Sequence, residues 1–343
     1  MEFRDLIQDS FDKNHSDIHF KHGIGIYFRK GGRLFRDVEV EVDPESIKDI
    51  LLSVLSPKQA ARLEEERRID FGHNTLPHVR VRGNVFYQQE KLAGIFRLIP
   101  AKIPSCSELG LTDVVKNFAM RPRGLVLVAG PAGSGTTTTA AALVQEINRS
   151  VRKHIVCIED PVEYVFKNDQ SIITQREIGT SSVTFQHALK ASLRQDPDVV
   201  FIGEMRDLDT FETAITMAET GHLVISTVHT IGACEVMDRI VNIFPPQIQG
   251  QIRTQLSLNI QGIVSQLLVT KGDTTDLTLA AEVFNPTFAL RALIRKGEVV
   301  KIKNSMAQSV KDGCIPMEMS LTRLKAVGTI TEATYDKAIK FIS

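Results

Sequence analysis

Residues Gly130, Pro131, Ala132, Gly133, Ser134, Gly135, Thr136, Thr137 and Thr138 follow directly on a short apolar run at 125–129 and lead into a segment of helical composition at 137–147. A strand, a glycine-rich loop and a helix in that order form a phosphate cradle. The glycines let successive backbone N–H groups turn inward toward phosphate oxygens, and the helix N-terminus adds partial positive charge. Thr137 stands where the loop hydroxyl of such a cradle reaches Mg²⁺. Thr136 stands where the pattern calls for lysine, the cation that bridges the terminal phosphates. A threonine hydroxyl donates one hydrogen bond and carries no charge. The loop alone therefore leaves two readings: a nucleotide cradle working through its backbone, or a plain glycine turn.

Three further groups could complete the chemistry. The segment Ile158-Glu159-Asp160-Pro161-Val162-Glu163 places carboxylates after an apolar run at 154–158, where open α/β sheets bind ligands. Taken alone it is equally well an acidic turn. The apolar run 199–202 ends in Gly203 and Glu204, about 70 residues after the loop. A carboxylate there can hold the water shell of Mg²⁺ or polarise an attacking water, as in a Walker B element. His222 and His229 flank a further buried-strand candidate at 223–227. Either ring could lie near a γ-phosphate, or serve only the structure.

These residues need an α/β framework to position them. Apolar runs alternating with helical segments predict a parallel sheet for residues 111–285. Beyond 285 the pattern is helical and amphipathic, at 289–294, 320–327 and 332–342. Residues 1–100 read as a smaller α+β domain. Strand patterns occur there at 17–20, 25–28, 33–35, 38–42, 79–87 and 92–98, with Gly31-Gly32 as a turn. A helical period runs through Ile47, Ile50, Leu51, Val54 and Leu55, and Ser56-Pro57 opens a second helix. Residues 101–110 form the linker, since Pro100 and Pro104 resist regular structure.

Composition excludes several alternatives. The 343 residues are 43% hydrophobic and 24% charged, as expected of a globular chain of about two domains. Lys plus Arg and Asp plus Glu are both 41, so no positive surplus favours nucleic acid. No apolar run approaches the roughly 20 residues that span a bilayer, and the acidic N-terminus is unlike a signal peptide. Any membrane role is therefore expected to be peripheral. Cys106, Cys157, Cys234 and Cys314 are widely spaced and read as buried thiols in a reducing compartment.

Taken in order, the motifs resemble those of the type IV pilus retraction ATPases (PilT-type), within the type II/IV secretion ATPase superfamily. The resemblance extends from Ser16-Asp17-Ile18-His19 to the C-terminal helices. Pro122-Arg123-Gly124 leads into the phosphate loop, and residues 158–163 are similar to the family's Asp box. Gly203-Glu204-Met205-Arg206-Asp207 resembles its Walker B, and residues 218–230 its His box. Asp238-Arg239-Ile240 and Phe244-Pro245 follow in the family's order. Phe96-Arg97-Leu98-Ile99-Pro100 and residues 289–295, similar to the AIR motif with Leu290 in place of Ile, favour the pilus branch. So does the lack of a four-cysteine zinc module.

The resemblance implies a RecA-like P-loop NTPase core, a smaller PAS-like α+β N-terminal domain and C-terminal helices, assembled as a hexamer with nucleotide between domains. It implies that Glu163 and Glu204 position water and Mg²⁺, that His222 and His229 sense nucleotide state, and that Arg80 and Arg82 reach the phosphates. Arg97 and Arg239 are further candidates, each equally an ordinary ion-pair partner. The expected activity is ATP hydrolysis driving pilus retraction and twitching motility, at the cytoplasmic face of the bacterial inner membrane and against an inner-membrane platform protein. ATP and Mg²⁺ are the implied ligands, and no nucleic acid is expected. Thr136 departs from the family's lysine and predicts impaired hydrolysis. The other reading is a nucleotide-binding, non-hydrolysing subunit of a mixed hexamer with an active paralogue.

Overall fold

The computed structural model describes residues 2–37, 42–272, 274 and 276–342. The strand expected at 38–42 lies, but for Val42, outside the described residues. The chain divides into two compact units, Met1–Lys102 with Asp160–Val165, and Ile103–Glu159 with Phe166–Ser343. Each is described by itself.

The first unit is built on a six-stranded antiparallel sheet. Its strands are β1 (Asp17–Lys21), β2 (Gly25–Lys30), β3 (Arg33–Phe35), β4 (Arg68–Leu76), β5 (Val79–Gln88) and β6 (Lys91–Pro100). Their order is β3-β2-β1-β6-β5-β4. Gly31 and Gly32, at φ 53° and 79°, make the two-residue turn between β2 and β3 that needs two left-handed residues. Helices Phe3–Asp12, Ile47–Ser53 and Pro57–Glu66 accompany the sheet. Ser56 caps the last with a reciprocal Gln59 bond, and Pro57 follows at the first helical position. Phe96 is the hub of this core, edge-on to Phe3, Phe20 and Phe71 with ring centroids 4.8, 5.4 and 6.1 Å away. Gly83 and Gly94 are required beside it: a Cβ on Gly83 would lie 2.8 Å from the Phe96 ring, and one on Gly94 2.5 Å from Leu51.

The second unit carries a seven-stranded sheet. Its strands are β7 (Gly124–Ala129), β8 (His154–Glu159), β9 (Ile172–Glu177), β10 (Val199–Ile202), β11 (Leu223–Val228), β12 (Ile260–Thr270) and β13 (Leu277–Phe284). The order is β13-β12-β7-β11-β10-β8-β9, parallel throughout except for β13, which pairs antiparallel with β12. Every residue of β7, β10 and β11 is buried, which explains their largely apolar sequences, and in β11 the hydroxyls of Ser226 and Thr227 bond to the Ile202 and Gly203 carbonyls. Helices Phe288–Lys296 and Val299–Gln308 send Leu290, Ile294, Ile302 and Met306 into the main core of this unit. Helices Met317–Ala326 and Glu332–Ile342 close a second cluster over β12 and β13 through Leu321 and Ala338. Among the described residues no helix is long and apolar enough to cross a membrane.

Candidate functional site

Because β7, β8, β10 and β11 run parallel, their carboxyl ends share one edge of the sheet. From β7 that edge receives the loop 130–135, and helix Thr136–Ser150 begins immediately after it. Gly133 and Gly135 hold φ values of 81° and 83°, which side-chain-bearing residues adopt only with strain. Gly130 is needed for space, since a Cβ there would lie 2.5 Å from the Gln266 carbonyl oxygen. Gln266, buried in β12, braces the loop by donating from Nε2 to the Ser134 carbonyl at 2.6 Å. Thr136 is buried, whereas Thr137 and Thr138 are partly exposed.

The next two strands bring Glu204 and His229 to the same edge. Gly203 lets the chain turn tightly out of β10, with its N–H on the Ile158 carbonyl at 2.8 Å and its own carbonyl accepting from Thr227 Oγ1 at 2.5 Å. Glu204 then meets His229 Nε2 at 3.2 Å and Arg206 Nη2 at 2.6 Å. His229 Nδ1 stands 3.5 Å from the Gly130 carbonyl oxygen, the long limit of a hydrogen bond. Both ring nitrogens face acceptors, so a neutral imidazole serves one of them. Arg239 donates from Nη1 to the His229 carbonyl at 2.9 Å and to Thr230 Oγ1 at 3.1 Å, fixing the turn that carries the histidine. The unit thus joins phosphate loop, carboxylate and imidazole in one contiguous group.

His222 lies elsewhere. It precedes β11 and so occupies the amino end of the strand whose carboxyl end carries His229. There its Nδ1 meets the Met217 carbonyl at 3.0 Å, closing the turn after helix Leu208–Glu219. Within this unit it is not brought to the phosphate loop.

The remaining candidates belong to the first unit. Arg80, only 9% exposed, donates from Nε to the Val162 carbonyl at 2.8 Å and from Nη1 to Asn74 Oδ1 at 2.6 Å. Arg82 pairs with Glu163 at 3.0 Å. These two arginines bind the segment Asp160–Val165 into the unit. Gly72 makes the room, because a Cβ there would overlap the Arg80 guanidinium. Arg97 pairs with Asp17 at 3.0 Å in a cross-strand row with Arg29, Asp17 and Arg82 on neighbouring strands. Glu163 and Glu204 thus sit in different units, each with its own cationic partners.

Two supporting residues escape motif reading. Ser265 Oγ accepts from Gly232 N–H at 2.8 Å, and Glu282 Oε1 accepts from Ala233 N–H at 2.7 Å. Together they pin the start of helix Ala233–Ile243, just past the His229 turn. The available signal is a polar pair, Ser265-Gln266, between the apolar pairs Ile263-Val264 and Leu267-Leu268 of an eleven-residue strand. All four cysteines are buried and unbridged, and burial pushes the thiols of Cys106 and Cys234 up to about 11 and about 12.

The pattern of the family described as "Type II/IV secretion system protein" matches residues 3–285. The chain belongs to that family. It is similar to "Type IV pilus retractation ATPase PilT" of Pseudomonas aeruginosa (strain PAO1), 35% identical over 331 residues, 96% of either chain. It is equally similar to "Type IV pilus ATPase PilU" of the same organism, 35% identical over 339 residues, 99% of this chain and 88% of that one. A solved structure, "Crystal Structure of the Pilus Retraction Motor PilT and Bound ADP", superposes with a TM-score of 0.89 at 40% identity over 98% of this chain and 97% of the other. The second unit is accordingly a RecA-like core of this secretion and pilus ATPase family, and the first its N-terminal domain.

Proposed function

We propose that this chain is an ATP-driven motor subunit of the type IV pilus machinery, acting in pilus retraction. The observation that carries the reading is the joining of the Gly130–Thr138 loop, Glu204 and His229 at one sheet edge, in a chain similar to pilus retraction ATPases along nearly its whole length. In this reading the loop N–H groups receive the phosphates of ATP. Thr137 and Glu204 are hard oxygen donors of the kind Mg²⁺ takes, one or two from protein and the rest from water and phosphate. The ion would offset charge on the transferring phosphoryl. Glu204 orients and deprotonates the attacking water, and His229, in contact with both carboxylate and loop, registers whether the γ-phosphate is present. The working form is a hexamer at the cytoplasmic face of the inner membrane, pulling against a platform protein there.

Thr136 bears on rate. A phosphoryl in transfer spreads charge over its oxygens, and loss of one fixed donor or cation typically slows such a step by about 10²–10³. The chain is therefore expected to bind ATP and turn it over slowly. The test is phosphate release from the purified chain beside its Thr136→Lys variant. Faster turnover in the variant supports a motor with a slowed step. ATP binding with no turnover in either chain points to a non-hydrolysing partner subunit. A chain that binds no nucleotide refutes both.

A further inference from the structure

The phosphate loop has a second neighbour that none of the family motifs includes. A cavity of about 500 Å³ lies against it, walled by residues 131–134 of the loop, residues 267–270 at the end of β12, and Thr334, Lys337, Ala338, Lys340 and Phe341. Thr334, Lys337, Ala338 and Phe341 are spaced i, i+3, i+4, i+7, so they form one face of helix Glu332–Ile342. That face is seated firmly. Ala338 is 6% exposed in a cluster with Leu267 and Val269, and Thr334 Oγ1 meets Thr270 Oγ1 at 3.2 Å. Lys337 therefore precedes a buried anchor by one residue and lines the same cavity as the loop.

The charge of the cavity is one-sided. Among the described residues its lining includes two lysines and no carboxylate, and neither lysine has an acidic partner. Its other walls are mostly aliphatic, and both lysines stand at its solvent-exposed rim. Ser134, 3% exposed, lines the cavity with its Oγ packed back against Gly130, so the loop meets the cavity through its backbone. Its carbonyl is already taken by Gln266. Two ammonium groups without an acidic partner and the N–H groups of a glycine loop form a receptor for a polyanion.

We propose that Lys337 and Lys340 receive the phosphate chain of the bound nucleotide through this cavity, providing from the C-terminal helix the cation that Thr136 lacks. The proposal rests on the reading of the loop as a nucleotide cradle. A lysine ammonium is a compact point charge on a flexible four-carbon stem, suited to reach a phosphate from a neighbouring element. Such a stem binds the ground state well but does not fix the charge at the β/γ bridge. Affinity is then retained while the chemical step stays slow.

Calorimetric titration of ATP, ADP and AMP into the full chain and its Lys337→Ala/Lys340→Ala variant tests this. Removing the charge-assisted contacts should weaken ATP by about ten- to hundredfold, ADP less, and AMP least. Adding Thr136→Lys to the double variant should recover most of the ATP affinity. A second measurement needs no substitution. With an amine-acetylating reagent and peptide mass spectrometry, ATP should protect Lys337 and Lys340 but not Lys301, which is paired with Glu298. If the unaltered chain binds ATP but both lysines remain fully reactive, or the double variant binds ATP within about twofold of it, the proposal is overturned and the nucleotide reading stands. If the unaltered chain binds none of the three nucleotides, both fall. Should the double variant fail to fold, the protection result on the unaltered chain decides alone.

Discussion

Glu204 is the residue on which the chemistry turns, and its surroundings say how. One carboxylate oxygen faces His229 and the other Arg206, so its orientation is set from both sides. Glu204→Gln keeps the shape and the reach but removes the charge that draws a proton from water. Turnover should fall by about 10²–10⁴ with ATP affinity nearly unchanged, read by phosphate release and by titration. Equal turnover would remove Glu204 from the mechanism. Arg239 acts one step back, through the His229 carbonyl and Thr230. Arg239→Ala should free that turn and slow the step by about ten- to a hundredfold while KM moves less. A variant whose KM rises as steeply as its kcat falls would place Arg239 on the phosphates instead.

At the scale of elements, the sheet edge and its loops were legible because parallel buried strands leave an unmistakable apolar signature and the phosphate loop needs glycines at fixed places. The residues that brace the loop were not. Gln266, Ser265 and Glu282 lie on β12 and β13, whose contribution depends on register with β7, a long-range fact absent from local pattern. The helix Phe3–Asp12 does show apolar or small residues at Phe3, Leu6, Ile7 and Ser10, the helical spacing, but its many acids mask it. β4 carries Gly72, His73 and Asn74 mid-strand, which leave no strand pattern in the sequence, and Gly72 is explained only by Arg80 lying across it. His222 and His229 share a motif yet occupy opposite ends of β11, about six residues of extended chain or roughly 20 Å apart. Gly72 gives a prediction at this scale. In Gly72→Ala the new methyl would displace the Arg80 guanidinium and strip it from Val162 and Asn74. Leaving such donors unmet typically destabilises by about 1–3 kcal/mol. Thermal melting should show that loss, and hydrogen exchange should show faster exchange at 160–165. A melting point equal to the parent's would mean that Arg80 has a second seat.

For the whole molecule, the two units should answer acid with opposite signs. In the first, His15, His19 and His73 all have side-chain pKa values lowered from the ordinary 6.5, chiefly by burial, with Lys30, Arg29 and Arg80 respectively adding to the effect. A histidine held neutral in the fold is protonated first in the unfolded chain. Its contribution is fully present above pH 6.5 and is lost as pH falls through the folded value. In the second unit, Glu282 is raised above the ordinary 4.5 by burial, although the Ala233 and Met317 amides favour its ionised form. Here the folded state takes up the proton first, so stability rises as pH falls through the folded value toward 4.5. Between pH 7.5 and 5.5, after correction for intrinsic exchange, amides of β1 and β4 should therefore exchange faster. Those at the start of helix Ala233–Ile243, pinned by Glu282, should exchange more slowly or stay level. Glu282→Gln should flatten the second response and leave the first untouched, because the histidines lie in the other unit. If both units loosened together in acid, and the variant did so equally, neither burial of the three histidines nor that of Glu282 would govern the response, and one shared titration would have to be sought.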